Sequence, residues 1–236
     1  MTQARGYYER ALALDPDNTE VLVGMALSDA SIAAWFMTDD RAHRLEMAEA
    51  ALTRVLSLAP NHAMAHYLLG AVQISSNRAA QGIAECERAL SLDRNLAAAH
   101  GYIGIAKYFT AHSEETEAHI QNALRLSPRD TNAYLWTFFA GTAKFALGCD
   151  EEAVARFRGA IEINRNYPLA HLYLAATLAL LGRPGEAQAA ARAGLALDPT
   201  FTIRRFRVGV SSDNPTYLAL RERIYEGMQT AGVPVG

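Results

Sequence analysis

Lysine is close to absent from this chain: of its 22 basic residues, only Lys107 and Lys144 are not arginine. Set against 25 acidic residues, the balance is a net charge of −3. The local basic run is confined to Arg204, Arg205 and Arg207, too short for the stripe on which a nucleic-acid backbone would lie. Such a cluster reads as a solvated face, so no nucleic acid is expected as a partner. Cysteine is scarce as well. Cys86 and Cys149 stand far apart with no C-x-x-C and no flanking ligands, which excludes a disulfide framework and a zinc finger and reads as two free thiols. No window approaches the ~18 consecutive apolar residues of a membrane span, and no leader pattern opens the chain. The expectation is a cytoplasmic protein without a membrane partner. No P-loop, G-x-G-x-x-G or Ser/His/Asp order is recognisable, so neither an enzyme nor a bound cofactor is expected.

What the chain does have is alanine, the best intrinsic helix former, and its abundance points to an all-α fold and a GC-rich bacterial genome. It also has a period. Apolar helix ends close at Pro16, Pro60, Arg94, Pro128, Arg165 and Pro199, which are 44, 34, 34, 37 and 34 residues apart. Proline ends a helix there because it lacks the next N–H and pushes the preceding residue out of the α region. The clearest copy runs from Ala63 to Leu96, a helix, a turn and a second helix. His66, Leu69, Gly70 and Gln73 mark its first stripe, and Gly82, Cys86 and Ala89 its second. This spacing resembles the tetratricopeptide repeat, W-x2-L-G-x2-Y followed by A-x3-F and a closing proline. The resemblance implies a right-handed superhelix of helix pairs that binds proteins or peptides and carries out no chemistry.

On that reading residues 1–18 are the second helix of an incomplete repeat, five helix pairs occupy 19–62, 63–96, 97–130, 131–167 and 168–199, and a linker with a C-terminal capping helix fills 200–236. Five pairs exceed the roughly three that such a stack needs, since each buries its apolar face only against its neighbours. The 19–62 unit is ten residues too long, around Trp35 to Asp40, which predicts long helices at Thr19–Phe36 and Asp40–Ser57 with Thr38 or an Asp as cap. The unit from Thr131 places Thr137 and Phe138 where Leu-Gly is usual and inserts three residues before Gly148. In the last helix Asn214 suits the N-cap, Pro215 the first position and Gly232 the end. Tyr217, Leu218, Ile224, Tyr225 and Met228 are expected to cover the open end of the stack. The helix carrying Tyr7, Tyr8, Ala11, Leu12 and Leu14 lacks its pairing helix, so Thr2 to Leu14 is expected to fray or to associate with another copy.

A narrower resemblance rests on SDNPTYLALRERIYEGMQTAGVP together with the long Thr19–Pro60 unit. These are similar to the repeat region of α-proteobacterial class III adenylate cyclases and of winged-helix transcriptional regulators with repeat tails. The likeness covers essentially the whole chain. Neither output domain is within it, so no catalytic or DNA-binding residue carries over.

His66, His100 and His171 share the fourth position of a first helix and suggest a metal site. Equivalent positions on stacked helices stand ~8–10 Å apart, too far to share a zinc ion, so they read as fillers of the tryptophan position, as Tyr134 is. Glu114-Glu115 and Glu151-Glu152 each open a second helix, where negative charge meets the positive end of the dipole. Family resemblance assigns first-helix positions 2, 5, 9 and 12 to a concave binding wall. Here these are Met64, Tyr67, Ala71 and Ile74; Ala98, Gly101, Ile105 and Tyr108; Asn132, Leu135 and Phe139; Leu169, Leu172, Ala176 and Ala179. The stripe is apolar, which fits either a groove for an apolar or amphipathic segment, anchored by Tyr67, Tyr108 and Phe139, or helices buried on both sides.

Overall fold

A computed structural model describes the backbone of residues 2–34 and 40–236 and the side chains of residues 5–33 and 40–236. Among these residues there are thirteen helices and no strand. They are α1 (Thr2–Leu14), α2 (Thr19–Ala34), α3 (Arg41–Leu58), α4 (Ala63–Ser75), α5 (Ala79–Leu92), α6 (Ala97–Phe109), α7 (Ser113–Leu126), α8 (Ala133–Ala146), α9 (Asp150–Ile163), α10 (Pro168–Leu180), α11 (Pro184–Leu197), α12 (Ile203–Val208) and α13 (Pro215–Thr230). The chain forms two compact units, Met1–Ala106 and Lys107–Gly236, with the boundary inside α6.

In the first unit α2 pairs with α3 and α4 with α5. The α4/α5 pair is held close by two glycines. A β-carbon on Gly70 would stand 2.7 Å from both Cys86 Sγ and the Gly82 carbonyl oxygen, so the backbones nearly touch at this crossing. The long unit has the expected long helices, 16 and 18 residues against 13 and 14 in α4 and α5. Thr38 and Asp39, two of its expected caps, lie outside the described residues, and Asp40 occupies the N-cap of α3 with its side chain making no capping bond to the helix. The helix α1 packs against α2, as the second helix of a repeat packs on the first helix of the next. The Tyr8 ring packs on Gly24, where a β-carbon would come within 2.7 Å, and buried Asp29 of α2 accepts from Arg5 of α1 and, at 2.8 Å, from Arg44 of α3. Tyr7 and Leu14 are exposed.

In the second unit α8 pairs with α9 and α10 with α11. Phe138 is the hub of an aromatic core, with ring centroids 4.9 Å from Tyr173, 5.3 Å from Tyr167 and 5.6 Å from Phe157. The helix-to-helix turns share one device. Asn77, Ala111, Gly148 and Gly182 all have positive φ, 61°, 64°, 75° and 73°, at the same place in successive repeats. A left-handed residue there reverses the chain after the first helix, at no cost for glycine and a small one for asparagine. The junctions between repeats use side chains instead: Asp93, Asn164 and Asp198 each accept from the backbone N–H two residues on, at 2.9 to 3.1 Å.

Candidate functional site: the inner face of the second unit

The segment after α11 builds the most unusual part of the molecule. Thr202 caps the short helix α12 by accepting from Arg205 N, and the chain's own end supplies two further acceptors: Ile203 N donates to Pro234 O and Arg204 N to Val235 O, both at 2.9 Å. Residues Gly209 to Asn214 then run without regular structure, with Ser211 and Ser212 buried, to the start of α13. Asn214 caps α13 as its sequence predicts, its Oδ1 accepting from Thr216 N at 2.9 Å and Tyr217 N at 3.3 Å, while its Nδ2 donates to Thr110 O at 3.3 Å.

Helix α13 is seated on α10, the first helix of the last pair. This corrects the expectation that it lies over the open end of the stack. The contact is close because of Gly227: a β-carbon there would come 2.6 Å from the Ala176 carbonyl oxygen and 2.9 Å from Ala176 Cα. The buried stripe is Tyr217, Arg221, Ile224, Tyr225 and Met228, at the 3–4 spacing of one helical face, whereas Leu218 points to solvent. The Tyr217 ring meets Tyr108 at 5.5 Å and Phe109 at 5.4 Å, and both of those meet Phe139, at 5.9 and 5.6 Å. At the other flank Arg223 stacks 4.1 Å over Phe145, donates to Phe145 O at 3.1 Å and pairs with Asp150.

Arg221 is 5% exposed, and its acceptors are neutral: Phe206 O at 2.7 Å from Nη2, Tyr217 Oη at 3.2 Å from Nη1 and Tyr225 Oη at 2.5 Å from Nε. Burial works against its charge, but the oxygens of Tyr173, Tyr217 and Tyr225 outweigh it and hold the pKa above its ordinary value. Burial pushes the hydroxyls of Tyr108 and Tyr173 above the usual tyrosine range. Two arginines of the basic run are taken up by the same segment: Arg207 forms a two-pronged pair with Glu222 at 2.6 and 2.7 Å and Arg205 donates to Thr200.

The wall expected from positions 2, 5, 9 and 12 is only partly a wall. Met64 is exposed and Ala176 meets α13, but Tyr67, Ile74, Ile105, Tyr108, Leu169 and Leu172 are buried within the protein. Ile74 packs against Gly82 and Leu172 against Gly194, both on the second helix of their own pair. The reason is angular. At about 100° per residue, position 12 lies only about 40° from position 8, which faces the second helix, and position 5 about 60° from it. Tyr67 stacks instead on Tyr102 at 5.6 Å. In α8 the three inserted residues shift the register. Gly141 abuts Phe157 as Gly70 abuts Cys86, 71 residues earlier, so Leu135 corresponds to Met64, and Asn132 is an N-cap ahead of the helix. Leu135 and Phe139 are half-buried.

The other candidates resolve into structural roles. His66 Nε2 donates to Pro60 O at 2.9 Å and His171 Nε2 to Arg165 O at 3.0 Å, tying each first helix to the closing residue of the preceding repeat. No group of three metal-ligating side chains occurs among the described residues. Glu115 and Glu152 sit in the first turns of α7 and α9 and pair with the two lysines, Lys107–Glu115 at 2.7 Å and Lys144–Glu152 at 2.8 Å, an identical tie repeated 37 residues on. Cys86 is buried, and burial together with Glu85 and Glu87 pushes its thiol up to about 12. No helix among the described residues is long and apolar enough to cross a membrane.

No protein-family model and no curated protein matches the chain. Solved structures do. A human IFIT1 dimer with m7Gppp-AAAA is similar at a TM-score of 0.72 and 17% identity, over 95% of this chain and 54% of that one. A chain of the APC/C hetero-tetramer Cut9–Hcn1 is similar at 0.70 and 18%, over 94% of this chain and 39% of that one. TTC0263, a thermophilic TPR protein of Thermus thermophilus, is similar at 0.61 and 17%, over 86% of this chain and 99% of that one. At such identities the likeness shows the fold, which is that of tetratricopeptide-repeat helical solenoids. The chain spans about half or less of the first two proteins' length.

Proposed function

We propose that the chain is a protein-interaction scaffold that holds an apolar or amphipathic helical segment of a partner protein on the inner face of its first helices. We further propose that it serves as the regulatory end of a cyclase or winged-helix regulator. The observation that carries the scaffold reading is α13 itself. A helix with one apolar face already sits on α10, so the chemistry of that face suits a helix, and small residues at the crossing let two backbones come together. Seating a partner's helix in an apolar trough is a recurrent mode of recognition, with large aromatics such as Tyr108 and Phe139 supplying the contact area. The cyclase or regulator context is supported by the resemblance of the C-terminal segment and the long second repeat. The membership of the Cut9–Hcn1 structure in a hetero-tetramer is consistent with an assembly role for the fold.

The test of the scaffold is capture from the extract of cells that express the chain, comparing wild type with Leu135→Glu, which puts a charge on the inner face at a half-buried site. A partner lost with the variant, while helical content is unchanged, supports the reading; partners captured equally by both contradict it. Sequencing the genomic DNA around the coding region tests the context: an in-frame cyclase or winged-helix region supports it, and a separate promoter and start site assigns a free-standing adaptor.

A further inference from the structure

The seat of α13 on α10 contains a mismatch. Its most buried polar group is the Arg221 guanidinium, and every acceptor it has is a hydroxyl or a carbonyl, with the Phe206 ring 4.3 Å from its carbon. A cation removed from water and met by neutral oxygens and by the rings of Phe206, Tyr217 and Tyr225, at 4.3, 6.0 and 5.2 Å, has no carboxylate beside it among the described residues, and well-packed apolar side chains commonly outdo buried charges at such places. The face therefore holds its present helix less tightly than it would hold one with methionine or leucine there. The rest of the seat is a filter for shape. Gly227 on the Ala176 carbonyl admits no β-carbon, and the Tyr217 ring, ten residues earlier, fills the space beside Tyr108 and Phe109. The further attachments are polar: Asn214 to Thr110 at the start of the helix, Arg223 to Phe145 O and Asp150 at its middle, and the two backbone bonds from α12 to the tail. Gly209 to Asn214 is a connector outside any helix, and six residues extend to roughly 20 Å, enough for α13 to leave while α10 and α11 stay folded.

We infer that α13 is a displaceable occupant, holding the inner face of the second unit until a partner helix of better-matched chemistry replaces it. That helix has glycine at the Ala176 crossing, an aromatic residue ten positions before it and an apolar residue in the place of Arg221. The existence of such a partner rests on the scaffold reading above; the exchange itself is measurable with the chain's own helix. The experiment titrates full chain into fluorescent peptides of residues 211–236, read by anisotropy. One peptide has the natural sequence, one has Arg221→Met and one has Gly227→Leu. The Arg221→Met peptide is expected to bind about tenfold more tightly than the natural one, and the Gly227→Leu peptide not to bind. A full chain carrying Gly227→Leu, whose own helix cannot seat, is expected to take up the natural peptide about tenfold more tightly than wild type does. The milder chain Asn214→Ala/Arg223→Ala, which loses polar attachments and the helix cap but keeps the Gly227 crossing, should fall between and serves if Gly227→Leu does not fold. Absence of Arg221→Met peptide binding to chains of wild-type helical content overturns the inference. So does a sedimentation-detected dimer in which α13 exchanges between copies and excludes the peptide. Peptide exchange as expected, with no partner captured from cells, leaves displaceability standing and removes the scaffold reading.

Discussion

Gly82→Ala is a small change that the α4/α5 crossing should not tolerate. The new methyl would lie 2.5 Å from the Gly70 carbonyl oxygen and 2.5 Å from Ile74 Cγ1, against the ~3.5–4.0 Å at which such atoms attract. One of those atoms is backbone on the facing helix, so a side-chain rotation cannot relieve the clash and the two helices must part. Overpacking of this kind costs about 1–3 kcal/mol, with the upper end apt here, and alanine returns about 1 kcal/mol of helix propensity, leaving a net loss of about 2 kcal/mol. Gly159→Ala is the matched control. Its methyl would meet only Thr137 Cγ2, at 3.6 Å, an ordinary contact, so the propensity gain of up to about 1 kcal/mol stands alone. Urea unfolding followed by far-ultraviolet circular dichroism should move the midpoint down for Gly82→Ala and up for Gly159→Ala. Midpoints that shift in the same direction would refute the argument that backbone contact at this crossing sets the packing.

Ala111 holds the left-handed turn position that Gly148 and Gly182 fill elsewhere, so Ala111→Gly should raise stability by up to about 1 kcal/mol, and an unchanged or lowered unfolding midpoint would contradict the strain. Hydrogen bonding to Lys144 outweighs burial and holds the Glu117 carboxyl below its ordinary value of 4.5, so its contribution is full above that pH and is lost as pH falls through the folded value. Acid titration of stability should therefore show a shallower loss below about pH 4.5 in Glu117→Gln than in wild type; parallel curves would count against the Glu117–Lys144 tie. Buried Cys86, with its thiol at about 12, should stay unreactive toward a disulfide reagent at neutral pH in the native chain while half-buried Cys149 reacts, and rapid modification of both would show that the α4/α5 crossing opens readily.

Much of the architecture is legible before any coordinate. The closing prolines mark the junctions because proline and the residue before it resist the α conformation, and Gly148 and Gly182 mark two of the turns because those turns need positive φ. The Asn214-Pro215 start of α13 is equally plain, since its cap depends only on neighbours in sequence. The inner face is harder to read. A stripe at positions 2, 5, 9 and 12 spans enough of the helix that its edge residues, Ile74 and Leu172, roll into their own pair. In α8 the insertion moves the stripe by three residues and makes Leu135 the counterpart of Met64. The amphipathic pattern of α13 likewise says that one face is covered without saying by what. Two signals are present: an arginine in the middle of an apolar stripe, and Gly227 in a helix interior, where glycine is unfavourable unless another backbone approaches.

Site-specific photocrosslinking tests the central claim most directly. A photoreactive residue replaces half-buried Leu135, at a position proposed for the inner face, or Glu162, exposed on a second helix, in the full chain, which is then irradiated in the extract of cells that express it. Adducts are expected from Leu135 that map to an amphipathic helical segment of another protein, disappear when the Arg221→Met peptide of residues 211–236 is added in excess, and do not form from Glu162. Adducts shared by both positions, or Leu135 adducts that survive the competing peptide, would contradict it.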